Sequence, residues 1–234
     1  MDTLALLVHG LAKVGKTRLA ETAPAPKLFL DAEGGTRFLP NRIEWDPSQY
    51  APPVPDGTWE NCIVYVRNYQ TLELVYQWLQ DGAHPFRSVI LDSISEIQQR
   101  CIDAISGGNQ MRQQDWGELL RKMASLVRNF RDLTFHPTHP IECVIIVAMT
   151  RAVDGRYAPH VQGQLYTTLP YYIDVVGYLY RENDVTTGQP YHRLLTAPQP
   201  TFEAGDRTGR LGEVVDNPDI PKLFQLIFNT EVSR

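Results

Sequence analysis

Gly10-Leu11-Ala12-Lys13-Val14-Gly15-Lys16-Thr17 meets the phosphate-binding template G-x-x-x-x-G-K-[ST] at every fixed position. The flanks supply the context the template needs. Leu4-Ala5-Leu6-Leu7-Val8 reads as a short buried strand, and Thr17-Arg18-Leu19-Ala20-Glu21 can open a helix. Gly10 and Gly15 let the backbone curl so that its N–H groups face phosphate oxygens. Lys16 adds a point charge for the β- and γ-phosphates, and the Thr17 hydroxyl can hold Mg²⁺. The whole run from Gly10 through Leu11, Ala12, Lys13, Val14 and Gly15 to Arg18 is therefore expected to line a nucleotide.

Around this loop lies the composition of an ordinary globule. The chain has 234 residues, of which 43% are hydrophobic and 21% charged. That is enough apolar material for one large core. A net charge of −5 excludes coating of nucleic acid by bulk charge, though not a local basic surface. Cys62, Cys101 and Cys143 are odd in number and far apart, which suggests neither a metal site nor a disulfide framework and points to the cytoplasm. The N-terminal residues lack a basic region, so no signal peptide is expected. The longest apolar run, 143–149, is too short for a bilayer.

Apolar runs alternate with helical periodicity, which predicts an α/β fold with a mostly parallel central sheet flanked by helices. Strands are expected at 4–8, 27–31, 61–66, 88–91, 142–149 and 173–180, and helices at 71–80, 94–105, 116–131 and 223–228. Residues 40–60 hold five prolines and read as a long surface loop. Asp115 is expected to cap the helix 116–131, with Glu118 completing a capping box and Trp116 on the apolar stripe. Residues 191–202 are expected as an edge strand. No linker is evident, so residues 1–234 are expected to form a single domain.

Two acidic strand ends extend the site. Leu28-Phe29-Leu30-Asp31-Ala32-Glu33 places carboxylates at the edge of the sheet where ligands bind in open α/β folds. Glu33 can polarise a water for attack on a γ-phosphate; alternatively, Asp31 and Glu33 only cap a loop. Val89-Ile90-Leu91-Asp92-Ser93 is an apolar strand ending in Asp, and Asp92 is expected to support the metal, through a water or through Thr17.

These segments resemble the RecA core. Phe29–Glu33 is similar to its Phe-Ile-Asp-Ala-Glu segment, whose glutamate is the catalytic base, and Val89–Ser93 to its metal-binding strand. More closely, Gln114-Asp115-Trp116-Gly117, Gln162-Gly163-Gln164-Leu165, Leu169–Tyr178 and Phe202–Leu211 resemble phage-encoded, core-only RecA-type ATPases linked to single-strand annealing and recombination. The resemblance covers roughly residues 2–215. It implies a RecA-like P-loop NTPase fold, with ATP and Mg²⁺ as cofactors and Lys16, Glu33 and Asp92 as catalytic residues. It further implies single-stranded DNA as partner, assembly into a ring or filament, a possible single-strand-binding protein alongside, and residence in the host cytoplasm.

The resemblance also places two DNA loops. In the first, 106–114, Gln110 and Arg112 give polar reach. In the second, 151–168, Arg151, Arg156, Tyr157 and His160 interleave cations with rings, which suits single-stranded DNA; an ordinary solvated loop is the plain alternative. Arg207 and Arg210 fall where RecA reaches ATP on a neighbouring subunit, or else form a solvated turn. Two departures stand out. The first core strand is expected within a few residues of Met1, so the docking arm that precedes it in RecA is expected to be absent. Where RecA has a γ-phosphate-sensing glutamine, this chain has the shorter Thr150. The six histidines read as loop residues without metal-ligand spacing, and Tyr171-Tyr172 as core and strand packing. Rival readings are a small-molecule kinase and a non-catalytic ATP-dependent switch.

Overall fold

The computed structural model describes residues 1–153 and 155–229. The chain opens with β1 (Leu4–Gly10), buried along its whole length, then α1 (Lys16–Glu21) and β2 (Lys27–Asp31). Next come β3 (Arg42–Glu44), β4 (Asn61–Tyr65), α2 (Tyr69–Gln80), β5 (Ser88–Asp92) and α3 (Ile94–Ser106). The second half holds α4 (Gln113–Asp132), β6 (Cys143–Val153), β7 (Arg156–Pro159), α5 (Leu165–Tyr172) and β8 (Val175–Asn183). It ends with β9 (Pro190–Leu195), β10 (Gly205–Asp206), β11 (Val214–Asp216) and α6 (Ile220–Phe228).

One sheet runs through the molecule in the order β11-β9-β8-β1-β6-β5-β2-β4-β3, with β10 on β8 and β7 on β6. From β8 to β3 every neighbouring pair is parallel. The turn back to antiparallel pairing comes at β8–β9 and β9–β11. Parallel strands need helical crossovers, which cover both faces of the sheet. On one face Leu7, Leu30 and Leu91 pack with Leu72 of α2, Ile97 of α3, Val127 and Phe130 of α4, and Leu169 of α5. On the other face Leu6, Phe29 and Ile145 pack with Leu19 of α1 and Leu223 and Phe224 of α6. The expected largely parallel sheet flanked by helices is the architecture found.

Several local expectations need correction. The proline-rich stretch 40–60 is not all loop. β3 lies inside it and pairs with β4, and Trp45 and Trp59 are buried against Phe86 at ring distances of 5.9 and 6.4 Å. Helix α4 starts before Asp115. Arg112 is its N-cap, and Asp115, at the third helical position, accepts from the Arg112 backbone N–H at 2.8 Å. This is the acidic half of a capping box, shifted three residues from the expected register. Trp116 is 41% exposed and does not belong to the apolar stripe. Tyr171 and Tyr172 end α5 rather than open a strand; Tyr171 is 79% exposed, and Pro170 forms part of the same helix. β9 is not an edge strand, because β11 lies outside it. His9 and His192 are strand residues, not loop residues.

Candidate functional site

Parallel pairing brings the C-terminal ends of β1, β2, β5 and β6 to one edge. Gly10 stands in register with Met149, and Asp31 with Asp92. The loop leaving β1 curls through Lys13 (φ 62°) and Gly15 (φ 105°) before α1 begins at Lys16. Gly15 takes that left-handed conformation without the strain a Cβ brings. A Cβ on Gly10 would lie 2.4 Å from the Leu179 carbonyl oxygen of β8, so only glycine fits the loop's first position.

Lys16 folds back over the loop. Its Nζ donates to the carbonyls of Gly10 and Leu11, each at 2.9 Å, which holds the ammonium at the centre of the cradle. Burial lowers its pKa, and the carboxylates of Glu33 and Asp92 act in the opposite direction. Thr17 donates its hydroxyl to Asp92 Oδ2 at 2.7 Å. Asp92 is buried, and its carboxyl is pushed up to about 6; desolvation is the main cause, opposed by the Thr17 hydrogen bond. Two hard oxygen donors side by side, one of them a buried carboxylate, suit Mg²⁺, which keeps several waters and takes its remaining ligands from substrate phosphates. Among the described residues no group of three or more His, Cys, Asp or Glu is placed to hold a metal by itself. A metal here would complete its shell with waters and with oxygens of a phosphate held by the loop.

The two carboxylates after β2 part company. Asp31 accepts from the backbone N–H groups of Glu33, Gly34 and Thr36 at 2.9, 2.7 and 3.0 Å, and from the Thr36 hydroxyl at 2.5 Å. It is a turn builder with its lone pairs filled. Glu33 leaves that turn towards β5, where Ser93 Oγ donates to its Oε1. The Ala32 N–H donates to the Asp92 carbonyl at 2.8 Å, stitching this backbone to β5. Glu33, Asp92, Thr17 and Lys16 thus share one small volume: a cation, two acids and a hydroxyl on the rim of a phosphate loop. Such a set can bind a metal–phosphate group and orient a water beside it.

The AAA domain family matches residues 3–208, the greater part of the chain. The protein belongs to the AAA domain family. No curated protein matches it. Family membership supports a P-loop ATPase domain that binds and hydrolyses ATP, and the AAA match takes in the phosphate loop, both acidic strand ends and Thr150.

Other expected residues of this AAA domain are placed as follows. Arg18 is exposed and pairs with Glu21 at 2.7 Å. The described residues of 151–168 do not form one open loop. β6 runs on to Val153 and returns as β7, and α5 begins at Leu165. Tyr157 stacks on Phe202 at 5.2 Å, and Arg156 pairs with Glu203 at 3.0 Å. Arg151 lies 5.6 Å from the Tyr166 ring, while His160 is exposed. In the α3–α4 turn Gln110 is exposed, and Arg112 pairs with Asp115 at 3.1 Å. Arg207 is held by Asp174 at 3.1 Å and Arg210 by the Ile227 carbonyl at 2.6 Å. Ser93 and His9 were not singled out from the sequence. Ser93 had a weak signal in following Asp92 directly; a lone histidine in an apolar strand has none. No helix among the described residues is long and apolar enough to cross a membrane.

Proposed function

We propose that this AAA domain is a RecA-type ATPase that hydrolyses Mg²⁺-ATP with Glu33 as general base and couples nucleotide state to single-stranded DNA, in support of recombination or strand annealing. The observation that carries the catalytic part is the Glu33–Ser93 hydrogen bond beside the Thr17–Asp92 pair. In this reading Lys16 and the loop backbone hold the phosphates, and Thr17 and Asp92 hold the metal. The metal supplies charge neutralisation on the phosphates. Glu33, fixed by Ser93, takes a proton from water.

The DNA-binding part is supported by Trp116. This exposed ring lines a cleft of about 350 Å³ with Gly117, Gln162, Gly163 and Gln164. An exposed aromatic face beside glutamine amides suits a stacked base. Residues 1–234 act as one domain in this proposal. Arg151, His160, Gln110 and Arg112 flank the strand path, Arg207 and Arg210 exchange their present partners for a neighbouring subunit's nucleotide, and a homo-oligomer completes the site.

Hydrolysis measured with and without single-stranded DNA, in wild type, Glu33→Gln and Trp116→Ala, tests both parts. Expected are DNA-stimulated turnover, abolished in Glu33→Gln with ATP binding retained, and stimulation lost in Trp116→Ala with basal turnover kept. Full turnover in Glu33→Gln removes the base assignment. Absence of DNA binding with any nucleotide removes the recombination reading and leaves an ATPase or ATP-dependent switch.

A further inference from the structure

Directly ahead of the phosphate loop, β1 carries a fully buried histidine. His9 Nε2 lies 2.6 Å from the Glu203 carbonyl oxygen, and Nδ1 lies 2.9 Å from Thr150 Oγ1. A carbonyl only accepts, so Nε2 carries a proton. Burial holds the imidazole well below its ordinary 6.5, at about 4. At neutral pH the ring therefore has one proton, and Nδ1 offers a lone pair. Thr150 must donate to it. A threonine hydroxyl has a single proton, so Oγ1 presents only lone pairs to any other neighbour.

That accounting bears on the nucleotide. Thr150 follows Met149, which pairs in register with Gly10, so it stands at the rim of the phosphate loop. A phosphate oxygen needs a donor; a water needs an acceptor. The geometry points to His9 as a positioning residue that fixes Thr150 as an acceptor for water at the nucleotide site and ties the strand bearing Gly10 to the hairpin β6–β7.

The second half of the link is equally local. The Glu203 N–H donates to the Tyr157 carbonyl at 2.8 Å, its carboxylate holds Arg156, and Phe202 stacks on Tyr157. Through the Glu203 carbonyl, His9 grips the segment that grips β7. A shift of Gly10 on nucleotide binding is passed to Thr150 on one side of the ring and to β7 on the other.

The kinetic arm of this inference rests on the ATPase reading; its proton placement does not. Long-range ¹H–¹⁵N spectra of the full chain should show His9 as the Nε2–H tautomer, without titration from about pH 5.5 to 8. Addition of Mg²⁺ and a non-hydrolysable ATP analogue should shift its Nδ1 resonance. Thr150→Val and His9→Phe should each lower kcat about tenfold with KM within about twofold, the loss of one water-directed hydrogen bond. The double variant should be no worse than either single one, and Thr150→Ser should keep wild-type turnover. An Nδ1–H tautomer, or titration near 6.5, overturns the proposal whether or not the protein is active. Wild-type turnover in Thr150→Val, or additive losses in the double variant, overturns it too. Should His9→Phe not fold, the Val/Ser pair at 150 and the spectra still decide. A wild type with no ATP turnover sinks the ATPase reading, and the spectra alone then judge His9.

Discussion

Thr17 and Asp92 lie 75 residues apart in sequence and share one hydrogen bond of 2.7 Å, which joins the end of the phosphate loop to the end of β5. The bond joins the two proposed metal ligands and brings a buried carboxylate with it. Burial disfavours the charged form, and the raised pKa of about 6 is the consequence. In the proposed reading, the ionised Asp92 destabilises the empty site, and a bound cation offsets that cost.

Asp92→Asn tests that statement. The amide keeps an acceptor for Thr17 and removes the buried charge. The sign is set by the raised pKa: wild-type Asp92 contributes stability below its unfolded value of 3.8 and loses it as pH rises through about 6. Without Mg²⁺, Asp92→Asn should therefore be more stable than wild type by about 1–3 kcal/mol at pH 8, with the gap closing towards pH 4. Hydrolysis should fall at least about a hundredfold. Thermal melts across that range check it; a variant less stable than wild type at pH 8 would contradict the account of burial.

Ser93→Ala removes the donor that fixes Glu33. The same hydroxyl weakly accepts from the Glu96 N–H at 3.4 Å, at the start of α3. Stability should fall by about 1 kcal/mol from the lost cap. If Ser93 positions the base, kcat should fall about tenfold with KM little changed, and Ser93→Thr should restore it. Steady-state kinetics on both variants separate the effects; loss of stability with unchanged kcat would make Ser93 a cap and nothing more.

How much of this was legible beforehand depends on whether a residue's role is local. The phosphate loop reads from the sequence because its geometry is made by its own glycines and its own lysine. The long parallel strands read equally well, as continuous apolar runs such as Cys143–Met149, whereas the three-residue β3 has no such run and did not. Asp92 was legible because its strand ends on it. The Thr17–Asp92 pairing was expected from the two motifs, but the Ser93–Glu33 contact depends on strand order, which one sequence does not display. Tyr157 and Arg156 looked available for a ligand because their partners, Phe202 and Glu203, lie more than forty residues on. Trp45 and Trp59 were hidden by prolines: local turn chemistry was read correctly, but tertiary burial decided the outcome. His9 offered no pattern at all, since its importance comes from two acceptor–donor partners brought together by the sheet.

Acid should destabilise the protein through His9 and the half-buried His84. Burial lowers His9 and His84 each to about 4, with His139 and His136 adding to the effect at His84. A depressed value means the unfolded chain binds the proton first. Stability is thus fully present above about 6.5 and lost as pH falls towards 4. For His9 the loss is on the order of 3 kcal/mol over that window. Urea titrations at pH 7 and pH 4.5 should show it, and His9→Phe should flatten the slope. An unchanged slope in that variant would mean His9 is protonated in the folded state.

Gly10→Ala and Gly35→Ala make a matched pair for the last expectation. Both glycines border the site, and neither has a positive φ. A Cβ at Gly35 would approach only Thr17 Oγ1, at 3.9 Å, an ordinary contact. A Cβ at Gly10 would sit 2.4 Å from the Leu179 carbonyl oxygen. That oxygen is backbone of β8, which is pinned between β1 and β9, so the strain cannot be relieved by rotating a side chain. Gly35→Ala should be neutral or gain a few tenths of a kcal/mol from reduced unfolded-state entropy, about 0.5 kcal/mol at most. Gly10→Ala should lose about 2–4 kcal/mol and, by moving the loop off β8, most of its affinity for ATP. Denaturation curves and fluorescent-nucleotide titrations on the two variants measure both. Equal stability would mean the approach of β1 to β8 is looser than these distances, and with it the cradle that Gly10 opens.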